Sequence, residues 1–313
     1  MGKNKNQDKV FHLLESTNEA AIKEAKEFAA KQSKFAWALY SELAEQREQV
    51  FDNLKQSLLY NCLENYTFNN WQRAVKYRYS LHPLCTLGSL SYIGGRFNIG
   101  ESINTNVNPF TALYIAENKD TALQEHLSQI EGISTELSSR EIALNNHQSE
   151  SILRLNGSLD LVIDLTNKNS VSDFVNIIKK FTKNKYIDLL AKQARLTNPP
   201  QMIKSVDILL SALLNKQWRI EAALYDVPST SQIFGQIALI AGITGILYPS
   251  KFTGKNCLAI FTQNFKDSTS WVKIADAIPD DSIILHELNH TNYEAATWDR
   301  KKFLMFQKHN NIQ

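Results

Sequence analysis

The sequence predicts an α+β protein in which an N-terminal helical module precedes a mixed α/β domain. From residue 10 to about residue 66, apolar residues recur at three- and four-residue steps among Glu, Gln, Lys and Arg, the spacing of amphipathic helices. No proline interrupts residues 1–82. From about residue 73, short apolar runs alternate with helical patterns, which is typical of a mixed domain. We therefore expect a helical module at residues 1–72 and an α/β domain at residues 73–313.

The helical module begins with a predicted capping box. Ser16 and Glu19 have the spacing at which each side chain bonds the backbone amide of the other. A second helical pattern runs from Ala36 to Leu59. Its heptad is not sustained, so we expect the apolar stripe to pack within the chain rather than in a coiled coil.

The α/β domain contains alternating strand and helix patterns. We expect Asn118 or Asp120 to cap the first helix and Gly242 to end the last one. The predicted strands span residues 74–81, 111–117, 158–166, 218–227, 243–250 and 255–263. The predicted helices span residues 118–130, 170–181, 186–196, 204–216 and 229–242.

Composition argues against several classes of partner. The chain has 313 residues and a net charge of +2, which gives no general reason to expect nucleic acid or an acidic membrane. Its three cysteines, Cys62, Cys85 and Cys257, form no CxxC pair, as expected in a reducing compartment. The N-terminal residues carry no apolar signal core, and no window approaches the length of a membrane span. We expect a cytoplasmic protein.

The segment "HELNH", His286 to His290, matches the zinc-peptidase motif letter for letter. Such a site needs both histidines on one helix face and a third protein ligand. Tyr293 and Ala296 stand where the extended motif has glycine and histidine, and "SIIL" before the motif favours a strand. We expect no metal site here.

The segment "GGRFNIG", Gly94 to Gly100, has the composition of a phosphate loop but lacks its lysine. Arg96 is the only cation between Ser91 and Lys119. Without G-x-G-x-x-G spacing, a dinucleotide-binding fingerprint is not indicated either. A generic glycine turn remains an alternative for this segment.

Four further residues stand mostly at the ends of predicted elements, where functional groups usually lie. Arg96 follows the glycines, Tyr114 ends a strand, Glu125 lies in the next helix and Ser250 follows a strand and a proline. Alone, each has a structural explanation: an ion pair, a core aromatic, an exposed helix face and a turn. Together they provide a cation, an aromatic ring, a carboxylate and a hydroxyl.

Four sequence blocks in order resemble the RES-domain family, named for its arginine, glutamate and serine. The blocks are "GGRFN" at 94–98, "LYIAENKDTALQE" at 113–125, "LVIDLT" at 161–166 and "GILYPSKFTGKNCLAIF" at 245–261. Arg78 in "KYRYS" fits the family's arginine on an early strand. Phe97 replaces the usual tryptophan, and "ESINTNVN" looks inserted. The resemblance covers about residues 76–265 and does not include the helical module.

The resemblance implies a fold related to the ADP-ribosyltransferases and an enzyme that consumes NAD by hydrolysis or phosphorolysis. It implies no cofactor, NAD as substrate, phosphate as a second substrate if the reaction is phosphorolysis, and in many members a toxin neutralised by an antitoxin. Two alternatives stay open: ADP-ribosylation of a protein, and an interaction protein with an inert RES fold. The N-terminal helices could bind an antitoxin or immunity protein, a target, or another copy of the chain.

The residue types suit that chemistry. We expect Arg96 to bind the pyrophosphate, helped by the backbone amide of Gly95, and Tyr114 to stack on the nicotinamide. Glu125 would stabilise an oxocarbenium-like transition state, and Ser250 would orient the ribose or nicotinamide. The expected NAD-binding set is completed by two asparagines and one further arginine, so that it comprises Arg78, Gly95, Arg96, Asn98, Tyr114 and Asn256.

Overall fold

The computed structural model describes most of the chain, in two compact units. The described residues are 19–103, 106–127, 150–196, 202–277, 283, 285–299 and 301–302. One unit comprises residues 1–46 and 181–202, and the other comprises residues 47–180 and 203–313. The predicted capping box lies outside the described residues, because it requires Ser16.

The described residues form helices and strands in a mixed order. The helices are α1 Glu19–Gln49, α2 Phe51–Leu59, α3 Lys119–Leu127, α4 Ser172–Ile178, α5 Lys185–Gln193, α6 Val206–Leu213, α7 Arg219–Tyr225 and α8 Thr230–Ile240. The strands are β1 Leu63–Lys76, β2 Gly94–Gly95, β3 Asn98–Ile99, β4 Leu113–Ala116, β5 Glu150–Asp164, β6 Gly245–Pro249, β7 Asn256–Ile260, β8 Trp271–Ile274 and β9 Glu287–Leu288. The α+β prediction, with helices ahead of the sheet, is confirmed.

The first unit is helical, and its small core joins α1 to α5. Phe35 of α1 is buried against Ile187 and Leu190 of α5. Asn184 caps α5 by accepting a hydrogen bond from Ile187 N at 3.1 Å, and its own side-chain amide donates to Glu42 at 2.6 Å. The long helix therefore packs within the chain along part of its stripe, as expected.

The second unit is built around a seven-stranded sheet with the order β1-β4-β7-β6-β5-β8-β9. Strand β1 also pairs with β5, so that the first five strands in this order close into a ring. Strands β5 and β6 are parallel, and the other pairs are antiparallel. Buried side chains from these strands form the core, including Leu113, Leu155, Leu159, Leu258 and Ile260. None of the helices in the described part of the chain has the length and apolar character that a bilayer crossing requires.

Most predicted elements of the second unit are confirmed. Asn118 caps α3, since its Oδ1 accepts a hydrogen bond from Thr121 N at 2.9 Å. Helix α8 begins at a capping box of Ser229 and Gln232, and Gly242 follows it with a φ of +84°. The predicted strands at residues 158–166, 243–250 and 255–263 correspond to β5, β6 and β7.

Two element predictions are wrong. Residues 219–225 form helix α7 rather than a strand; Trp218 and Ala222, one helical turn apart, are buried. Strand β1 begins at Leu63, so the helical limit near residue 66 and the division after residue 72 both fall within this strand. The polar first half of β1 conceals it, because most of its side chains up to Asn70 are exposed.

Candidate active site

Arg96 lies at the tip of a short β-hairpin. Strands β2 and β3 pair Gly94 with Ile99 and Gly95 with Asn98, which leaves Arg96 and Phe97 in the turn. A Cβ on Gly95 would lie 2.5 Å from both Asn98 Oδ1 and Tyr114 Oη, so only glycine fits there. The predicted glycine turn is thus a hairpin that presents one arginine.

Asn98 holds this hairpin together from inside. Its Oδ1 accepts hydrogen bonds from Gly95 N at 3.0 Å and Tyr114 Oη at 2.9 Å. Its Nδ2 donates to Ser89 O at 2.8 Å and Phe110 O at 2.9 Å. The side chain is fully buried and uses both donors and both acceptor lone pairs. The expected contacts of Asn98 and of the Gly95 amide with a dinucleotide therefore need correction: Asn98 supports the turn, and the Gly95 amide donates to it.

Tyr114 also faces the hairpin. Its hydroxyl accepts a hydrogen bond from Phe97 N at 2.9 Å while it donates to Asn98. The ring is partly buried, and its Cε2 atom would lie 2.7 Å from a Cβ on Gly95. The polar end of Tyr114 is thus engaged within the protein, so a ligand can use only the exposed part of its ring.

Helix α8 packs against the hairpin of β2 and β3 and hydrogen-bonds its backbone. The fully buried Gln232 places Nε2 2.6 Å from Ile93 O, 3.1 Å from Asn98 O and 3.2 Å from Gly95 O. One turn later, a Cβ on Gly235 would lie 2.0 Å from Phe97 O, so the helix backbone lies directly against the turn. The position of Arg96 is fixed by these contacts.

The Arg96 guanidinium points toward the loop between α6 and α7. Its Nη1 donates to Asn215 O at 2.8 Å and Leu213 O at 3.3 Å, and the group lies 5.9 Å from the ring centroid of Trp218. Arg219 stacks on the same ring at 4.6 Å. Arg96 is buried, and among the described residues Nη1 makes all of its hydrogen bonds, so Nε and Nη2 make none there.

Glu125 and Ser250 are in direct contact. Ser250 Oγ donates to Glu125 Oε1 at 2.6 Å across 125 residues of sequence. The same oxygen accepts from Phe252 N at 3.2 Å and Thr253 N at 3.4 Å. Ser250 is 3% exposed and its hydrogen-bonding capacity is used. The expected contact of Ser250 with ribose or nicotinamide is corrected accordingly: its hydroxyl holds Glu125.

The two halves of the site influence each other electrostatically. Burial raises the pKa of Tyr114; the nearby Arg96 and Arg219 charges oppose this rise, and the Glu125 charge adds to it. Burial also raises the pKa of Tyr248, on which Glu125 and Arg96 act with opposite signs. The phenols of Tyr114 and Tyr248 therefore stay protonated at neutral pH, and the charges of Arg96 and Glu125 act on both.

A shallow depression lies beside Arg96. Its volume is about 200 Å³, and its lining includes Asn215, Trp218, Ile220 and Ser229. Asn215 and Trp218 are also the residues that Arg96 contacts. Pockets for complete small ligands usually measure 300–1,000 Å³, so this depression would hold only part of a dinucleotide.

Arg78 does not lie on an early strand as expected, and the arginine within β1 is Arg73. Arg78 lies in the 3₁₀ turn Tyr77–Tyr79, after β1 has ended. Arg73 is buried in β1 and donates to three backbone carbonyl oxygens, those of Pro83, Cys85 and Tyr114. Burial lowers the pKa of Arg73 to about 10, so the side chain stays charged at neutral pH. Arg73 supports the backbone behind Tyr114.

Asn256, the last of the expected binding residues, opens strand β7 beside the site. It pairs with Pro249, which precedes Ser250. Its backbone exchanges hydrogen bonds with Glu117: Asn256 N donates to Glu117 Oε2 at 3.1 Å, and Glu117 N donates to Asn256 O at 2.9 Å. A contact between its side chain and NAD stays a prediction.

The three thiols do not provide a nucleophile. Burial raises the pKa of Cys62 to about 12 and also raises the pKa values of Cys85 and Cys257. Reactive cysteines need a lowered pKa, because the thiolate is the nucleophile.

The histidine motif lies on a strand and a turn. Glu287 and Leu288 form β9, and Glu287 Oε1 accepts a hydrogen bond from Asn289 Nδ2 at 2.9 Å. The helix face that would align His286 and His290 is therefore not formed. Within the described ranges, no group of three His, Cys, Asp or Glu side chains could hold a metal ion.

Sequence reasoning missed several residues of the site. Gln232 carried a usable signal, because Ser229 and Gln232 have the S-x-x-Q spacing of a capping box. Trp218 was placed in a strand, and nothing local linked it to Arg96. Thr121 and Thr253, whose hydroxyl oxygens lie 2.8 Å apart, carried no signal because their contact spans 132 residues.

Comparison with known proteins gives a structural similarity but no match to a family model or a curated protein. A search of solved structures finds a similarity to the crystal structure of the M. tuberculosis MbcT-MbcA toxin-antitoxin complex. The two share 12% identity with a TM-score of 0.41, over 78% of this chain and 97% of the other.

Proposed function

We propose that this protein consumes NAD by cleaving the bond between nicotinamide and ribose. The observation that carries the proposal is the hydrogen bond between Ser250 Oγ and Glu125 Oε1 at 2.6 Å. It joins two of the sequence blocks that carry the resemblance to the RES-domain family, although these blocks lie far apart in the chain. A carboxylate held in place by a buried hydroxyl can stabilise the positive charge that develops on a sugar.

Arg96 would hold the pyrophosphate. Its Nη1 is fixed by two backbone carbonyl oxygens, which orient the planar guanidinium. The remaining Nε and Nη2 donors form the pair of parallel N–H groups that binds phosphate oxygens in a bidentate manner. The hairpin around Arg96 is rigidly held, so little conformational entropy would be lost on binding.

Glu125 would act on the ribose. Departure of nicotinamide leaves positive charge on the sugar ring, and a carboxylate nearby lowers the energy of that transition state. Nicotinamide leaves as a neutral molecule, so the reaction requires no general acid. Ser250 would fix the orientation of the Glu125 carboxylate rather than attack the substrate, since its oxygen already accepts two backbone amides.

The test is nicotinamide release from NAD by the purified full-length protein. We expect release by the wild type and a loss of at least about a hundredfold in Glu125→Gln, because the amide removes the charge that the transition state requires. An active Glu125→Gln variant would contradict the assignment. The absence of release by the folded wild type would favour the alternative of an interaction protein.

Glu287→Gln is the matched control. Glu287 is also partly buried, accepts a hydrogen bond and lies in the same unit. We expect this variant to release nicotinamide as fast as the wild type. A zinc peptidase would instead lose its activity with Glu287, so this pair of variants also separates the two chemistries.

The same assay can identify the acceptor. Reactions with and without inorganic phosphate separate phosphorolysis from hydrolysis, because only phosphorolysis yields a phosphorylated ADP-ribose. Labelled NAD tests the alternative of protein ADP-ribosylation, which would leave the label on protein instead of on free ADP-ribose.

The proposed biological role is that of a toxin, and it rests on the sequence resemblance. Depletion of NAD would stop growth, so expression of the wild type should arrest growing cells and expression of Glu125→Gln should not. If the arrest occurs, a screen for a co-expressed protein that prevents it would identify an antitoxin or immunity partner. Equal growth with both proteins would contradict the toxin role.

A further inference from the structure

Helix α3 meets the turn after β6 through two parallel contacts. Glu125 accepts from Ser250 at 2.6 Å, and the Thr121 hydroxyl lies 2.8 Å from the Thr253 hydroxyl. Thr121 and Glu125 are four residues apart on one helix, so their side chains lie on the same face. Ser250 and Thr253 lie in the turn that connects β6 and β7. We call these four residues the two-contact bridge.

We propose that Thr121 and Thr253 are positioning residues that set the orientation of the Glu125 carboxylate. This inference rests on the proposed function, in which Glu125 must face the ribose. Helix α3 is packed into the core through Ala122 and Leu127, and Ser250 holds the Glu125 carboxylate. A second contact one helical turn away fixes the rotation of α3 relative to the turn.

The burial of Thr121 supports this role. Its side chain is fully buried, and a buried hydroxyl without a partner is costly. The Thr253 hydroxyl also accepts from Lys255 N at 3.2 Å, which ties it to the backbone of the turn. The contact between Thr121 and Thr253 therefore joins helix α3 to the backbone of the turn between β6 and β7.

Hydrogen bonds within the turn connect Thr253 to Ser250. Thr253 N donates to Ser250 Oγ at 3.4 Å, and Gly254 N donates to Ser250 O at 2.9 Å. A displacement of Thr253 would therefore move the hydroxyl that holds Glu125. Neither threonine needs to touch the substrate.

The variants Thr121→Val and Thr121→Ser separate the hydroxyl from the shape of the side chain. Valine keeps the branched shape without the hydroxyl, and serine keeps the hydroxyl alone. For Thr121→Val we expect kcat for nicotinamide release to fall about tenfold with KM for NAD changed less than twofold, because a displaced carboxylate weakens transition-state stabilisation rather than binding. Thr121→Ser should keep most of the activity.

Thr253→Val should resemble Thr121→Val, and the double valine variant should lose no more activity than either single variant.

Thr262→Val is the control for burial. Thr262 is 1% exposed, and in the described part of the chain its Oγ1 has no hydrogen-bond partner. This variant should keep the wild-type kcat. If Thr121→Val kept full kcat, or if Thr121→Ser lost as much as Thr121→Val, the positioning role would be overturned.

Amide hydrogen exchange tests the bridge without any substrate. The amides of Phe252 and Thr253 donate to Ser250 Oγ, so their exchange reports on the turn. Both should exchange faster in Thr121→Val and at the wild-type rate in Thr121→Ser and Thr262→Val. If the wild type released no nicotinamide yet the exchange pattern held, the proposed function would fail and the bridge would stand. Unchanged exchange in Thr121→Val would overturn the bridge whatever the enzyme activity.

Discussion

The Tyr114 hydroxyl donates to Asn98 Oδ1 at 2.9 Å and so fastens strand β4 to the hairpin that carries Arg96. Phe97 N donates to the same hydroxyl at 2.9 Å. A side chain that the sequence suggests as a stacking surface is therefore also a structural link. The link holds β4 against the hairpin that carries Arg96, and the charges of both Arg96 and Glu125 act on the pKa of Tyr114.

Tyr114→Phe separates the two roles of this residue. The ring remains, but Phe97 N loses its acceptor and Asn98 loses a donor. We expect the free energy of unfolding to fall by about 1–3 kcal/mol and KM for NAD to rise, because Arg96 loses its fixed position. Urea unfolding and steady-state kinetics measure the two effects. Tyr293→Phe is the control, since its exposed hydroxyl makes only a 3.3 Å contact with Glu294. If stability and kinetics were unchanged in Tyr114→Phe, the hydroxyl of Tyr114 would have no structural role, and only its ring could contribute to binding.

Gly95→Ala tests how closely the hairpin is packed. The new Cβ would lie 2.5 Å from Asn98 Oδ1 and from Tyr114 Oη, so at least one of these atoms must move. We expect a loss of about 1–3 kcal/mol in unfolding free energy and a marked loss of nicotinamide release. Gly88→Ala should leave both nearly unchanged, because its Cβ would meet only Tyr79, at an ordinary 3.6 Å. Equal behaviour of the two variants would contradict the packing argument.

The sequence was sufficient to predict the elements that have a clear local signal. Strand β5 ends in a short apolar run from Leu161 to Ile163, and Gly242 follows the helical pattern of α8, so the sequence predicts both elements. Helix α7 was missed because residues 218–227 alternate apolar and polar side chains over a few positions, which also suits a strand. The start of β1 was missed because its pairing with β5 shifts register between Phe68 and Trp71, at exposed polar residues.

The members of the site were easier to predict than their contacts. The sequence predicts both Glu125 and Ser250 as site residues, but only the fold shows that the Ser250 hydroxyl donates to the Glu125 carboxylate. The sequence pattern places Arg78 on an early strand because residues 74–81 are strand-like, whereas β1 ends at Lys76. Asn98 was expected to bind a ligand because sequence gives no measure of burial or of hydrogen bonds already formed.

His82 should make stability depend on pH. Burial lowers its pKa below the usual 6.5 and the nearby Arg73 charge lowers it further, although the contact of Nε2 with Ala295 O at 3.0 Å opposes the shift. The unfolded chain therefore binds a proton near pH 6.5 that the folded chain does not bind. It follows that the free energy of unfolding falls as the pH decreases through and below 6.5.

His82→Gln isolates that contribution, because a glutamine amide can still donate to Ala295 O but does not titrate. We expect the wild type to lose more unfolding free energy than the variant between pH 7.5 and pH 5, as measured by urea unfolding at each pH. Parallel pH dependences of the two proteins would show that His82 does not titrate differently in the folded and unfolded states.

Gln232→Glu should show that the position of Arg96 is set by helix α8. The glutamine amide lies within 3.2 Å of three carbonyl oxygens of the hairpin segment, and a carboxylate would repel all three. Gln232 is fully buried, so we expect a loss of at least about 1–3 kcal/mol in unfolding free energy. In the molecules that remain folded, we also expect a higher KM for NAD. Gln72→Glu removes a donor that bonds only Asn70 O near the surface of β1, and it should change stability by less than about 0.5 kcal/mol. If Gln232→Glu lost stability but kept the wild-type KM, the contacts of Gln232 with the hairpin would support the fold without fixing the position of Arg96. The orientation of Arg96 toward a pyrophosphate would then depend on its hydrogen bonds to Leu213 and Asn215 alone.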